Sequence, residues 1–318
     1  MNKIIKYSTV ALMLTLMGCS QVSPVLPKYD TAVSATKYSG IKDEINRMVA
    51  IYYGKPINIL VDAIENRTKE QAELPTDISD IVKTSFNEIG TNVNTIANHN
   101  MIGDKQVYII HGAITAYDVT EERSKGKNYD VEAGKGKGET TSSGGLDAES
   151  KKAQLAINFN PEDIKTGNFV SKASTSNKIT IYQKSNASEF GFSIFGSGFG
   201  YNETITRSQG IHSSIAVLVD LSVAEVLGKI LKFPYWILTK GKPNRTILHQ
   251  LSDEFLDDTI PQKLYKISYL LTLKGENSQI TNSMTPSLQK AIYQYKNAHG
   301  MRANLYLSQE FYTKLLGG

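Results

Sequence analysis

Two long apolar segments dominate the pattern of this chain. From Ile211 to Ile230 it reads IHSSIAVLVDLSVAEVLGKI, with Ile215, Val217 and Val219 alternating with Ala216, Leu218 and Asp220. A β-branched, almost uncharged run of this kind predicts a strand buried on both faces, turned at Asp220-Leu221-Ser222. Gln106 to Asp118, QVYIIHGAITAYD, reads as its partner strand. The polar excursion between them predicts neighbouring strands joined by something that leaves the domain. Ahead of both, Ile41 to Tyr53 predicts a helix with Ile41, Ile45, Met48, Val49 and Tyr52 on one face. Ile57 to Ile64 predicts a buried strand. Pro75-Thr76-Asp77 opens a second helix, capped by Thr76 or Asp77, with Ile78, Ile81, Val82, Phe86 and Ile89 as its apolar face. Val93 to Ile96 and Val107 to Asp118 follow as strands. Helix, strand, helix, strand, strand is an α+β order and predicts a mixed α/β domain over 41–250.

The excursion, 119–209, changes character along its length. Residues 121–150 are polar and glycine-rich and read as a loop. The run GKGKGET at 134–140 has neither phosphate-loop spacing nor the strand–loop–helix context such loops need. Alternation then returns at Leu155, Ile157 and Phe159, at Ile179 to Tyr182, and at Phe190, Phe192 and Ile194. Membrane β-strands need about 9–11 residues of apolar-out, polar-in alternation. Leu155, Ile157, Phe159, Phe190, Phe192 and Ile194 are therefore the membrane-facing candidates. A soluble β-layer produces the same pattern. A lone hairpin cannot lie in lipid with its edges unpaired, so insertion would require several copies to close one barrel.

Beyond Asn244 the period becomes helical: Ile247, Leu248, Leu251, Phe255 and Leu256, then Leu264, Ile267, Leu270 and Leu271. Thr285 to Lys296 and Leu307 to Leu316 predict two further helices. Residues 258–318 thus read as a small C-terminal module of three helices.

The N-terminus carries an address. Lys3 and Lys6 precede a short apolar run from Thr9 to Met17, too short for a permanent span. Leu16-Met17-Gly18-Cys19 resembles a bacterial lipobox, and Cys19 is the only cysteine. It has no partner in the chain for a disulfide, and its place fits lipidation, which anchors stably when more than one acyl chain is attached. Residues 1–18 read as a lipoprotein signal peptide and 19–40 as a tether. Ser20, after the cysteine, points to the outer membrane by lipoprotein habit.

Charge and chemistry narrow the classes. The net charge is +4, and without the first eighteen residues 33 basic face 31 acidic residues, +2. Neither value argues for nucleic acid. His99, His111, His212, His249 and His299 are scattered without metal spacing, and no nucleophile elbow is present. No enzyme, cofactor or metal site is expected.

Two resemblances carry the functional expectation. GAITAYD at 112–118, the excursion, and IAVLVDLSVAEVLGK with its Glu225-Val226-Leu227 resemble the core of the CsgG family of curli-type secretion lipoproteins. That resemblance implies a periplasmic α/β domain with two membrane-directed hairpins per subunit, one on each side of the strand carrying Glu225-Val226-Leu227. Here nearly all the extra length precedes that strand, and the stretch Leu231 to Leu238 after it is short and contains Pro234. Pro286, Ala291, Ile292, Tyr295, Gly300 and Met301 resemble the core of a three-helix peptidoglycan-binding module. Together they imply an outer-membrane lipoprotein on the periplasmic side, forming a homo-oligomeric ring or pore that exports an extracellular protein or polymer. The alternative is a non-conducting structural ring that links outer membrane to peptidoglycan. Expected partners are further copies of the chain, the outer membrane, peptidoglycan and a secreted cargo.

Overall fold

The computed structural model describes residues 40–68, 74–124, 148–184, 190–196, 204–208, 211–277 and 279–317. The chain divides into two units, 31–122 with 150–318, and 1–30 with 123–149. Of the second, only the strand ends 123–124 and 148–149 are described. The fold is mixed α/β.

The first helix, α1 (Ile41–Met48), buries Ile41, Ile45 and Met48 at helical spacing and runs into a π-helical turn, Val49–Tyr53, closed by Gly54 at φ 75°. Strand β1 (Ile57–Asn66) leads to α2 (Ser79–Asn87) and β2 (Val93–Ile96), so β1–α2–β2 is a parallel crossover unit. Helix α2 starts later than its capping signal suggests. The Asp77 side chain accepts from the Ser79 N–H, and these bonds hold its carboxyl below the usual range. Strand β3 (Val107–Ser124) pairs parallel to the other side of β1. Next come β4 (Ala148–Asp163), the two-residue β5 (Asn168–Phe169), β6 (Thr175–Lys184), β7 (Phe190–Gly196) and β8 (Thr204–Ser208). All eight form one sheet in the order β2-β1-β3-β4-β6-β7-β8, with β5 beside β4. From β4 onward the pairing is antiparallel.

The segment expected to be the central strand is a helix. Ile211–Leu231 is α3, 21 residues long, and nearly every described side chain from Ser214 to Leu231 is buried. A helix covered on all sides shows no 3.6 period, so its β-branched run imitates a buried strand. Length decides against the strand, since strands of this kind run about 4–8 residues. What betrays the helix is a polar stripe, Ser222, Glu225 and Lys229, at intervals of three and four residues. It faces β6: Asn177 Nδ2 donates to Ser222 Oγ (2.9 Å) and Glu225 Oε2 (2.8 Å), and Lys229 Nζ lies 2.7 Å from both Glu225 Oε1 and the Ser174 carbonyl. Asp220, one turn earlier on another face, accepts from Ser85 Oγ at 2.6 Å and pairs with Lys42 at 3.2 Å, joining α1, α2 and α3. The helix ends at Lys232, which adopts φ 59°, while the Phe233 N–H bonds back to the Gly228 carbonyl. That six-to-one bond with a left-handed residue inside it is the Schellman stop.

After α3, Pro234 leads into a 3₁₀ turn, Tyr235–Ile237, and not into a second hairpin. Then come α4 (Arg245–Asp257), α5 (Ile260–Leu273), α6 (Pro286–Ala298) and α7 (Gln309–Leu315). Asn244, Thr285 and Ser308 cap α4, α6 and α7 by accepting from the N–H three residues on. Among the described residues no helix is long and apolar enough to cross a membrane.

Two outcomes test this core. A Cβ on Gly228 would overlap the ring of Tyr235. Gly228→Ala is therefore expected to destabilise the protein by about 1–3 kcal/mol in chemical denaturation, despite the better helix propensity of alanine. Lys229→Met leaves Glu225 buried without its lysine and is expected to cost about 3–5 kcal/mol. The pair Glu225→Gln/Lys229→Met, which keeps an acceptor for Asn177, should recover part of that loss.

Candidate functional site

One face of the sheet is covered by helices. Ile57, Ile59 and Val61 of β1, Ile110 and Ile114 of β3, and Leu155, Ile157 and Phe159 of β4 join the main core there. The opposite face is partly exposed on β1, β3 and β4, where Asn58, Asp62, His111 and Asn160 are half-buried. A small second cluster, Leu60, Ile96, Val107 and Ile109, lies on it with Ile102 and Ile164 packed against it. Beside that cluster His111 stands at the centre of three strands. Its Nδ1 lies 3.1 Å from Asp62 Oδ2 on β1, and its Nε2 lies 2.8 Å from Glu162 Oε2 on β4. The register of β1 against β3 shifts between Val61 and Ile64, directly opposite His111. Such bulges re-aim side chains. A neutral imidazole donates to one of these carboxylates, an imidazolium to both. The ring of Phe169, 63% exposed, meets His111 edge-on at 5.8 Å. Met101 is also exposed, at 60%.

His111, Asp62 and Glu162 keep 32%, 44% and 26% of their side-chain area in solvent, so each pair adds about 0–1 kcal/mol to stability. The three do not converge on a point. Among the described residues no group of three or more His, Cys, Asp or Glu is placed to hold a metal ion.

Three of the six membrane-facing candidates are placed otherwise than expected. Leu155, Ile157 and Phe159 are fully buried in the protein's own core, not turned to lipid. The alternation is real, but its apolar side faces α3. Phe190, Phe192 and Ile194 lie on β7 opposite Gln183, Ile181 and Ile179. The side chains of Phe190, Phe192 and Ile194 lie outside the described residues. Cys19, the signal peptide, the tether and the glycine-rich run at 134–140 lie outside the described residues.

The sequence GAITAYD lies on β3 as expected. Gly112 is required there: a Cβ would collide with the Asn158 carbonyl of β4. The other half of the resemblance, IAVLVDLSVAEVLGK, falls on α3 and is not a strand. With that segment helical, the strand following β3 is β4, and a second strand pair, β6–β7, comes after it.

Of the C-terminal candidates, Ala291, Ile292 and Tyr295 are buried on α6, and Tyr295 OH donates to the Lys314 carbonyl of α7 at 3.0 Å. Pro286 is exposed at the first turn of α6, Gly300 turns the chain at φ 67°, and Met301 is half-buried. Lys296, which stands where the resembled module has glutamine, is 2% exposed. Its amine donates to Asn304 O, Asn304 Oδ1 and Tyr306 O, and burial pulls it below the usual lysine range. These helices share the core of the rest. Phe255 of α4 stacks on Tyr312 of α7 at 4.1 Å. Trp236 Nε1 donates to Leu316 O at 2.7 Å, Tyr269 OH donates to Glu44 Oε2 at 2.9 Å, and Tyr312 OH donates to Tyr52 OH at 3.4 Å.

The expectation missed His111 with its two carboxylates and the buried stripe of α3. The stripe was readable as Ser222, Glu225 and Lys229 at helical intervals. The triad was not, because Asp62, His111 and Glu162 are distant in sequence. No protein-family model and no curated protein matches this chain.

A fragment of residues 258–318 would lose Phe255, Trp236 and Tyr52 as partners. It is expected to lack a cooperative melting transition by circular dichroism, whereas the full chain should melt as one unit.

Proposed function

We propose that the protein is a lipid-anchored outer-membrane lipoprotein that assembles into a homo-oligomeric ring serving export of an extracellular protein or polymer. The observation that carries this reading is the length of β3 and β4, 18 and 16 residues against about 5–6 for a typical strand. Strand β1 stops pairing with β3 at Asn66 opposite Ile114. Residues 115–124 run on beyond it, and both long strands cross from the first unit into the second. A domain that only packs a core does not need such strands; one that reaches toward a membrane or a neighbouring copy does. The lipobox-like Leu16-Met17-Gly18-Cys19 supplies the anchor and the CsgG-like GAITAYD the family likeness.

A second reading, a non-conducting ring that scaffolds between outer membrane and peptidoglycan, is favoured by one specific observation. Leu155, Ile157 and Phe159 spend their apolar face on the core.

Detergent-extracted protein is expected to show rings by electron microscopy and, under the export reading, discrete conductance steps in planar bilayers. Rings that never conduct decide for the scaffold, and a monomer in detergent removes both readings. Cys19→Ala is expected to move the protein from the membrane to the soluble periplasmic fraction, or to leave an uncleaved precursor.

A further inference from the structure

The seam between α3 and β6 holds more polar atoms than its own bonds satisfy. Asn177 is fully buried, and its amide orientation is fixed by its neighbours: Nδ2 faces the Glu225 carboxylate and Ser222 Oγ. Turning the amide over would set oxygen against carboxylate. Its Oδ1 therefore needs a donor, and among the described residues no group supplies one. Thr175, two residues earlier on the same face of β6 and 3% exposed, has a hydroxyl in the same position of need. Lys229 does not serve them, since its amine is engaged by Glu225 Oε1 and the Ser174 carbonyl. Buried polar groups left unpaired are rare and costly.

We infer that Thr175 Oγ1 and Asn177 Oδ1 bind an internal water molecule beside the Glu225–Lys229 pair. Two residues apart on a strand, Thr175 and Asn177 share a face, with Cα atoms about 6.6 Å apart, and side chains leaning toward each other bring their oxygens within hydrogen-bond reach of one water. The hydroxyl donates to the water and the water donates to the amide oxygen, which gives it the minimum of two polar partners. Charge selects the ligand. A cation would sit against the Lys229 amine. An anion would meet the Glu225 carboxylate and an acceptor oxygen. A neutral molecule that both donates and accepts suits the place, and water is the one small enough for a close-packed seam. The site makes the contact between α3 and the antiparallel half of the sheet wet.

The sign of one substitution tests this. Thr175→Val removes the hydroxyl and preserves the shape. If the hydroxyl holds a water, the variant should melt at a lower temperature than the native chain, and oxygen-17 relaxation dispersion should show one long-lived internal water fewer. Thr175→Ser, which keeps the hydroxyl, should retain that water. If the hydroxyl is merely unpaired, removing it relieves a penalty. A raised or unchanged melting temperature for Thr175→Val, or an unchanged dispersion amplitude, overturns the inference.

Discussion

Everything in the main unit is arranged around the burial of one helix on all of its sides. Helix α3 meets β6 along its polar stripe, α2 and α1 through Asp220, and the 3₁₀ turn through Gly228. From Ser214 onward the helix has little solvent face on which to place charge, so Asp220, Glu225 and Lys229 must each find a partner inside. Asp220 takes Lys42 and Ser85, while Glu225 and Lys229 take each other. The apolar contacts supply most of the energy, at about 1.5–3 kcal/mol for each fully buried aliphatic side chain. The polar contacts set the rotation of the helix about its axis, since only one rotation pairs all three charges.

That same enclosure explains what the sequence could and could not show. Helices half in water announce themselves: α4, α5 and α6 were legible from Leu251, Ile267 and Ile292 at helical spacing, with Asn244 and Thr285 at their starts. Strands β1, β2 and β3 were legible as short apolar runs between polar breaks. Helix α3 was not, because periodicity measures the contrast between two environments and α3 has only one. The β4 alternation was read correctly as strand geometry. Which medium its apolar side met could not be read, because lipid and a buried helix ask the same of Leu155, Ile157 and Phe159. The partly exposed face with His111 depended on a bulge and on pairing between distant strands, and neither leaves a local signature.

The corrected placement of α3 also changes how the strands are apportioned. With Ile211–Leu231 removed from the sheet, β3–β4 and β6–β7 become two strand pairs of one continuous surface rather than one oversized insertion. Their inner halves are committed to the core by Ile114, Leu155, Ile157 and Ile179.

Trp236 is the only tryptophan in the chain, and its indole N–H is spent on the carbonyl of Leu316, two residues from the last. The indole is 2% exposed, against Tyr235. The protein therefore carries an intrinsic fluorophore at the point where its two ends of structure, the exit from α3 and the final helix, are fastened. Any event that loosens the final helix must expose that ring to water, and the emission of a single residue becomes a gauge of whether the chain is closed.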